Sequence, residues 1–268
     1  MAETILDILA DTARERVKKD KEKISLEQMK VLAGKRECQK DKEKGFPVEQ
    51  ALKKEGISFI CEVKKASPSK GMIAEDFPYV EIARAYEEAG ADCISVLTEP
   101  GKFLGSDAYL EEIVKEVKTP VLRKDFTIDA YQIYQAKALG ASMVLLICAL
   151  LDEETIREYI GICDGLGLSA LVEVHDEEEI AMAVRAGARI IGVNNRNLKD
   201  FTVDVNNSSR LRKLVPPHVL FVAESGIRSA EDIKKLKEAG VNGVLIGETL
   251  MKSSNKKAML DELRKGCL

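Results

Sequence analysis

The sequence predicts an α/β protein, a (β/α)8 TIM barrel with an extra N-terminal helical segment, and two observations support that fold class. From about Ile57 onward, apolar β-type runs alternate with amphipathic helical patterns, as expected for parallel strands covered on both faces. Five of these runs end abruptly at charged or amide residues, although burying such groups is costly unless they are paired. Because the carboxyl ends of parallel strands meet at one rim, the five endings predict one shared polar cup.

The first 45 residues precede the repeat and are predicted to be a helical extension of the barrel domain. Residues 4–21 place their apolar side chains on one face of a helix, and such a face must be covered. A lid over one end of the barrel and a contact with another subunit both satisfy that requirement. Residues 34–45 are densely charged, which predicts a mobile, solvated connector, with a patch for an acidic ligand as the alternative. Phe46-Pro47 then begins a short helix.

Eight strands are predicted, most of them continuously apolar. Four of the intervening helices end in Ala-Gly or Leu-Gly just before the next strand, a common signal for a helix C-terminus. Eight such units fit the roughly 250 residues typical of the barrel. A doubly wound open sheet is the alternative, although no Gly-x-Gly-x-x-Gly follows the first strand to support its dinucleotide-binding form. The predicted strands are 58–63, 93–98, 120–124, 142–147, 168–174, 189–194, 219–223 and 243–247, and the four helices are 79–89, 129–139, 176–186 and 229–239.

Composition narrows the function classes. The chain has 268 residues, 45% of them hydrophobic and 32% charged, which predicts one globular domain spanning residues 1–268. The net charge of -4, with both signs interspersed, gives no basic field for nucleic acid, and no apolar run is long enough for a bilayer span. The six cysteines are scattered and the N-terminus lacks a secretion signal, so reduced cysteines and a cytoplasmic location are expected. With only His175 and His218 present, no multi-histidine metal site is expected.

The first predicted strand ends in two charged residues. Glu62 and Lys64 are two apart, so both point to one face, which on a barrel strand can be the interior. The alternative is an exposed strand end with an ordinary ion pair, which the apolar Ile60 and Cys61 argue against. The polar loop 65–71 that follows is rich in turn formers.

The third and fifth predicted strands supply a candidate acid and a candidate base. Lys124 shares a face with Leu122 while Arg123 takes the other, so one cation must face the barrel and the other can pair outside it. A lysine held among other cations in a dry site has a pKa that falls toward neutrality, which suits a general acid. Glu173 is flanked by apolar residues, and desolvation is expected to raise its pKa. His175 lies past the strand end and is expected to be a loop or supporting residue rather than a catalyst.

Glycine-containing turns after the last two strands predict a phosphate site. Ser225-Gly226 and Gly247 precede helix starts, where backbone N–H groups and helix dipoles bind phosphate. The alternative is that these glycines merely turn the chain. Glu248 fits an anion site only if its backbone N–H faces the phosphate and its carboxylate points away. Phe103, after the second strand, either leans over an aromatic substrate or packs under the N-terminal helix.

Seven motifs follow one another along the chain: ICEVKKASPSKG at 60–71, SVLTE at 95–99, LRKDF at 122–126, LVEVH at 171–175, VNNRNL at 193–198, AESGI at 223–227 and IGETLM at 246–251. Together they resemble the indole-3-glycerol phosphate synthase family of tryptophan biosynthesis, over essentially the whole chain including the N-terminal helix. The resemblance implies a carboxy-lyase that converts 1-(2-carboxyphenylamino)-1-deoxyribulose 5-phosphate to indole-3-glycerol phosphate, carbon dioxide and water. It also implies that no cofactor is needed.

The resemblance further implies roles for individual residues. The catalytic acid falls on Lys124, and the catalytic carboxylates fall on Glu62 and Glu173. Ser67 and Phe103 are expected to contact the substrate, and which lysine serves which step stays open. Assisting positions fall on Lys64, Asn194 and Glu224, and phosphate contacts fall on Ser225, Gly226, Gly247 and the backbone of Glu248.

Two other functions are compatible with the residues. A Schiff-base aldolase acting on a phosphosugar would use Lys64 or Lys124 as its nucleophile. A ligand-binding barrel without activity predicts decay among the four charged candidates, and Glu62, Lys64, Lys124 and Glu173 are all present. The expected partner is a phosphorylated small molecule, with no nucleic acid or membrane. A monomer and an association with other tryptophan-pathway enzymes both stay open.

Overall fold

The computed structural model describes residues 4–36, 45–197 and 201–268 and contains a closed barrel of eight parallel strands. Each strand pairs with the next along the chain, and the last pairs with the first. The barrel confirms the predicted fold class, and every predicted strand is present to within one residue at each end. The strands are β1 (Ser58–Val63), β2 (Cys93–Leu97), β3 (Val121–Lys124), β4 (Met143–Ile147), β5 (Ser169–Val174), β6 (Ile190–Asn194), β7 (Leu220–Glu224) and β8 (Gly243–Ile246).

Helices alternate with the strands and cover the outside of the barrel. All four helices predicted between strands are present, as are the N-terminal helix and the short helix begun by Phe46-Pro47. None of the described helices has the length and apolar character needed to cross a bilayer. The helices are α1 (Ile5–Lys23), α2 (Leu26–Lys35), α3 (Pro47–Leu52), α4 (Tyr79–Glu88), α5 (Asp107–Glu116), α6 (Ala130–Leu139), α7 (Glu153–Leu166), α8 (Glu177–Arg185), α9 (Asn206–Arg212), α10 (Ala230–Glu238), α11 (Glu248–Lys252) and α12 (Lys256–Arg264), followed by a 3-10 turn at Lys265–Cys267.

The sequence did not predict two elements. Helix α2 begins at a capping box in which the Ser25 side chain and Gln28 bond each other's backbone N–H groups. The loop after β1, predicted only as a polar turn, contains a small antiparallel hairpin between residues 66–67 and 71–72. Strands of two residues are too short to show a periodic pattern. Residues 37–44, most of the predicted charged connector, lie outside the described residues.

The hydrophobic core has two layers. The outer layer lies between the strands and the helices and includes Phe59 and Phe221. The inner layer fills the barrel and includes Ile60, Leu122 and Leu171. Side chains alternate along each strand, so consecutive residues such as Phe59 and Ile60 belong to different layers. The residues that reach the functional end of the barrel therefore share the inward face with this inner layer.

Helix α3 closes the N-terminal mouth, the end of the barrel at which the strands begin. Val48 and Leu52 pack against the inner layer of the core. Glu49 is buried, and it accepts hydrogen bonds from Nε and Nη2 of Arg189 at 3.0 and 2.9 Å. A buried carboxylate requires such pairing. Apolar and ionic contacts thus fix α3 in the opening.

Helix α1 covers the opposite, C-terminal mouth. Its Leu6 and Leu9 are buried and line the cavity at that end. Nη2 of Arg16 donates a hydrogen bond of 2.6 Å to Oδ1 of Asp125, which follows directly after β3. Of the two roles predicted for an apolar N-terminal helix, covering one end of the barrel is the one that the structure displays.

Candidate active site

A cavity of about 530 Å³ lies at the C-terminal mouth, bounded by the strand ends, the loops that follow them and α1. Every residue that the sequence predicts for the site lines this cavity. The polar strand endings therefore meet in one cup, as a parallel barrel requires. The residues are Glu62, Lys64, Ser67, Phe103, Lys124, Glu173, Asn194, Glu224, Ser225, Gly226, Gly247 and Glu248.

Strand β3 directs Lys124 into the barrel and Arg123 out of it. Nη2 of Arg123 lies 2.8 Å from Oδ1 of Asp107 and 3.4 Å from Oδ2 of Asp125, so its charge is neutralised between sheet and helices. This confirms the prediction that one cation faces the barrel while the other pairs outside it. Alternation of side chains along the strand is the cause.

Lys124 lies among carboxylates. Its Nζ is 3.2 Å from Oε2 of Glu224 and 3.4 Å from Oε2 of Glu173, and 14% of the side chain is exposed. Burial disfavours the ammonium, but the charges of Glu224, Glu173 and Glu62 outweigh burial and raise the pKa of Lys124 well above its ordinary value. The expectation of a pKa near neutrality is therefore wrong, because it assumed cationic neighbours.

Glu173 is buried, and its neighbours stabilise its ionised form. Oε1 accepts a hydrogen bond of 3.4 Å from Nδ2 of Asn194 and lies 3.5 Å from Nε2 of His175. Burial acts to raise the pKa of Glu173, but Lys124, His175 and the Asn194 hydrogen bond together hold it below its ordinary value. The predicted upward shift is wrong, since the sequence around Glu173 is apolar and two of these partners come from other strands.

Glu224 is the carboxyl group whose pKa is raised. Within the described part of the chain its Oε1 makes no hydrogen bond, and a Cβ on Gly192 of the neighbouring β6 would overlap that atom. Burial, with repulsion from Glu173 and Glu62, raises the pKa of Glu224 to about 7 despite the attraction of Lys124. Sequence reasoning missed Gly192 as a site residue. A glycine inside an apolar strand is the signal that could have revealed it.

Glu62 and Lys64 form an ion pair at the end of β1. Their side chains are only 5% and 17% exposed, so the alternative of an exposed strand-end pair is wrong. A Cβ on Gly247 would lie 2.8 Å from Nζ of Lys64 and still closer to the Glu62 carboxylate. Glycine at position 247 therefore leaves space for this ion pair. The sequence did not suggest this role for Gly247.

The turns after β7 and β8 face the same cavity. Ser225 and Gly226 both have positive φ angles, 68° and 84°, and a Cβ on Gly226 would collide with Val203. A positive φ at a residue other than glycine is uncommon and concentrates at functional sites. This turn leads into α10 after Ser229, and Gly247 directly precedes α11. Successive backbone N–H groups in such turns form anion-binding concavities.

The carboxylate of Glu248 faces lysines. Its Oε1 lies 2.6 Å from Nζ of Lys252 and 3.8 Å from Nζ of Lys70. Burial opposes the charge, but these cations hold the pKa of Glu248 below its ordinary value. The Glu248 carboxylate is thus turned toward lysine side chains, as required for a residue in an anion site.

Arg196 and Arg228 also line the cavity. Both arginines lie in loops beyond the strand endings, so the polar strand-end pattern did not reveal them.

The loop after β2 supplies an aromatic wall. Buried Glu99 accepts hydrogen bonds from the backbone N–H groups of Gly101, Lys102 and Phe103, at 2.6, 2.7 and 2.9 Å. The ring centre of Phe103 lies 6.1 Å from that of Phe126. Phe103 lines a cavity that α1 itself covers. The two settings predicted for Phe103, beside a substrate or beneath the N-terminal helix, are therefore one place.

Comparison with known proteins tests the resemblance seen in the sequence. A family model described as Indole-3-glycerol phosphate synthase matches residues 6–263. The chain belongs to this family. The indole-3-glycerol phosphate synthase of Ruminiclostridium cellulolyticum is 57% identical over 260 residues, covering 97% of this chain and 98% of that protein. The indole-3-glycerol phosphate synthase of Lachnoclostridium phytofermentans is 54% identical over 267 residues, with 97% and 98% covered.

Solved structures outside the indole-3-glycerol phosphate synthase family share the barrel. The 3-hexulose-6-phosphate synthase from Salmonella typhimurium matches with a TM-score of 0.65 at 14% identity, covering 79% of this chain and 98% of that chain. Thiamine phosphate pyrophosphorylase from Pyrococcus furiosus matches with a TM-score of 0.58 at 19% identity, covering 79% and 95%. At such low identity these matches confirm the fold and carry no information about chemistry.

Proposed function

We propose that the protein catalyses the indole-3-glycerol phosphate synthase reaction by general acid–base catalysis. The substrate is 1-(2-carboxyphenylamino)-1-deoxyribulose 5-phosphate, and the products are indole-3-glycerol phosphate, carbon dioxide and water. The observation that supports the assignment of roles is the Lys124 ammonium, which lies 3.2 and 3.4 Å from two buried carboxylates in a cavity that the turns after β7 and β8 also line. Membership of the indole-3-glycerol phosphate synthase family supports the reaction itself.

Ring closure requires a proton on the ketone oxygen while the aromatic carbon attacks the ketone carbon. Lys124 is the proposed donor, and because its pKa is raised it carries the proton to be given. The alkoxide that develops on the ketone oxygen is strongly basic and can take a proton even from an ammonium of high pKa. The positive charge also stabilises the developing negative charge in a partly buried site.

The carboxylate on the aromatic ring must be held during closure and then lost as carbon dioxide. Lys64 faces the cavity and is the proposed electrostatic partner of this carboxylate. When carbon dioxide departs, its bonding electrons return to the ring and restore the aromatic system. In the structure, Lys64 is paired with Glu62.

Loss of water requires a proton on the departing hydroxyl and removal of a proton from the ring carbon that lies between the nitrogen and the carbon bearing that hydroxyl. Glu173 is the proposed proton acceptor, because its lowered pKa keeps it ionised, and Glu62 is the second candidate. Lys64 or Lys124 delivers the proton to the hydroxyl. Glu224, with a pKa of about 7, can exchange protons near neutrality, which fits an assisting role beside Lys124.

The substrate phosphate is proposed to bind at the turns after β7 and β8. Ser225, Gly226, Gly247 and the backbone of Glu248 line that part of the cavity. Ser67 and Phe103 are proposed to contact the remainder of the substrate, with the Phe103 ring beside its aromatic ring. Asn194 is proposed to assist by its hydrogen bond to Glu173.

The direct test is to supply the purified protein with the carboxyphenylamino deoxyribulose phosphate and follow indole fluorescence. We expect the fluorescence of an indole product together with one carbon dioxide released per product. A folded protein that yields neither signal contradicts the proposal.

The Schiff-base aldolase alternative makes a different prediction. A lysine nucleophile must lose its proton, and the raised pKa of Lys124 opposes that loss. Borohydride with a ketose phosphate should trap a covalent adduct if an imine forms. Acid-catalysed ring closure forms no imine, so we expect no adduct.

We also propose that residues 1–268 form one barrel domain, of which residues 1–45 are an N-terminal helical extension. Helix α1 covers the cavity, and its Arg16 pairs with Asp125, next to the proposed acid. The proposed partner is a phosphorylated small molecule.

A further inference from the structure

His175 lies between two carboxylates at the edge of the site. Its Nε2 is 3.5 Å from Oε1 of Glu173, and its Nδ1 is 3.2 Å from Oε2 of Glu179. The backbone N–H of His175 also donates a hydrogen bond of 2.7 Å to Oε2 of Glu179, so the residue is tied to Glu179 at two points. Nε2 is buried and faces Glu173 without a well-aligned hydrogen bond. None of the reaction steps above uses His175.

Glu179 is itself fixed by the start of helix α8. Oδ1 of Asp176, which caps α8, accepts the backbone N–H of Glu179 at 2.9 Å. The carbonyl of Glu179 accepts a weak bond of 3.8 Å from Sγ of Cys148. The outer anchor of His175 therefore belongs to the first turn of a helix, which is more rigid than a loop.

The two oxygens of Glu173 face different partners. Oε1 is approached by His175 and by Nδ2 of Asn194, whereas Oε2 is approached by Nζ of Lys124 at 3.4 Å. Rotation about the last bond of a glutamate side chain has broad, shallow minima. The contacts on Oε1 therefore fix the plane of the carboxylate, and with it the direction in which the second oxygen faces the lysine and the cavity.

We propose that His175 is a positioning residue that is held by Glu179 and binds Oε1 of Glu173 as an imidazolium, so that Oε2 stays directed at Lys124 and the substrate. The inference rests on the proposed role of Glu173 as a proton acceptor. His175 does not touch the reacting atoms and acts through Glu173 alone.

The charges around His175 favour its protonated form. Burial disfavours that form, but the hydrogen bond to Glu179 and the charges of Glu173, Glu179 and Glu224 outweigh burial and raise the pKa of His175. Lys124 opposes the imidazolium from the far side of Glu173. Among the described residues, the titratable groups near His175 include Lys124 at the end of β3, Cys148 after β4, Glu173 on β5, Asp176 and Glu179 at the start of α8, and Glu224 on β7.

The link between His175 and Glu173 can be measured without any substrate. The chain has two histidines, so 15N-labelled imidazole signals are assigned by comparison with His218→Gln. In the wild-type protein we expect His175 to stay protonated above the usual histidine range. Both Glu179→Gln and Glu173→Gln should lower its pKa. An unchanged His175 titration in Glu173→Gln overturns the proposal, whether or not the assigned reaction is correct.

The kinetic test separates positioning from a structural role. Since ionised Glu173 is the active form, His175→Gln should move the acidic limb of kcat/KM to higher pH by about 1 unit. We expect kcat to fall about tenfold with KM little changed, which is less than the loss of a general base itself. Glu179→Gln should act in the same direction by a smaller amount. His218→Gln, exposed before β7, is the matched control and should behave as wild type.

Two outcomes overturn the proposal in an enzyme that forms product. One is an acidic limb that stays in place in both His175→Gln and Glu179→Gln. The other is a loss of stability in His175→Gln with no change in its pH profile. If His175→Gln does not fold, Glu179→Gln decides, because it keeps the imidazole. A wild-type protein that forms no product contradicts the proposed function instead, and the titration of His175 still decides the present inference.

Discussion

The two mouths of the barrel are formed by the same eight strands, yet one is sealed and the other is lined with charge. At the N-terminal mouth, Val48 and Leu52 of α3 fill the opening against the inner core. At the C-terminal mouth, Glu62, Lys124 and Glu224 face a cavity. Each strand thus contributes to stability with its first inward residues and to chemistry with its last. Buried charge at either mouth is tolerated because it is paired with opposite charge.

Both mouths contain buried carboxylates, but the balance of charge differs. Glu49 at the sealed mouth meets the guanidinium of Arg189, which also pairs with exposed Asp164 at 2.7 Å. At the open mouth, Glu173 and Glu224 share the single ammonium of Lys124. Burial, together with repulsion from the neighbouring carboxylates Glu173 and Glu62, raises the pKa of Glu224 to about 7. The incomplete neutralisation of carboxylate charge at the open mouth therefore contributes to its acid–base capacity. At the sealed mouth, Glu49 is paired with Arg189.

The difference between the two mouths is tested most strongly by substituting two lysines, one at each end of β3. Lys124→Ala removes the proposed acid and should lower turnover by at least about a hundredfold, with the fold intact by circular dichroism. Lys118→Ala removes an exposed lysine just before the strand and should leave turnover unchanged. Near-normal turnover in Lys124→Ala would remove this lysine from the acid role.

Substitutions at two glycines should affect activity and stability separately. Gly192→Ala places a methyl group against Oε1 of Glu224 and should displace that carboxylate, lowering kcat by about tenfold to a hundredfold. Gly243→Ala places a methyl group 2.5 Å from Cδ2 of Leu52 at the sealed mouth. It should lower the free energy of unfolding by about 1–3 kcal/mol and leave kcat near wild type. Urea denaturation measures the stability of both variants, and steady-state kinetics measures their kcat. If the two variants lose stability and kcat to the same extent, the proposed difference between the mouths is contradicted.

The pKa of Glu224 predicts a change of stability with pH. Between pH 4.5 and about 7, the folded protein keeps a proton on Glu224 that the unfolded chain has lost, so this residue makes wild-type stability fall as pH rises. Glu224→Gln removes that loss. The stability of the variant relative to wild type should therefore increase with pH across this window, by at most about 1.4 kcal/mol per pH unit. Urea denaturation between pH 5 and pH 8 measures the difference, and a constant difference would show that Glu224 titrates normally.

At the contact between α1 and the barrel, a modest effect on stability and on substrate binding is expected. Arg16→Ala leaves Asp125 buried with the Thr98 hydroxyl, the Phe126 backbone N–H and Arg123 as neighbours. Loss of one partner of such a pair should lower the free energy of unfolding by about 1–3 kcal/mol. Because α1 covers the cavity, KM should rise more than kcat falls. Arg14→Ala on an exposed part of the same helix is the control and should change neither.

The fold was predictable from the sequence because its signals are local. Alternating apolar runs, helix-ending glycines and polar strand endings each occupy a few consecutive residues. Helix α2 and the two-residue hairpin strands were missed because their patterns are weak or too short. The residues predicted for the site all line the cavity, but Gly192, Arg196 and Arg228 were missed, and the ionisation of Lys124 and Glu173 was not predicted. Their charge depends on partners such as Glu224 that only the closing of the barrel brings near.

The sealing of one mouth by α3 has a consequence for turnover. In the described structure, the cavity lies at the C-terminal mouth beneath α1, and α3 packs against the core at the other mouth. We therefore expect the substrate, carbon dioxide and the indole product to pass through the same opening. A product molecule bound in the cavity excludes the next substrate. The two molecules therefore compete for the same opening as well as for the same binding contacts. Product release and substrate entry must then alternate, and the rate of product release sets an upper limit on kcat.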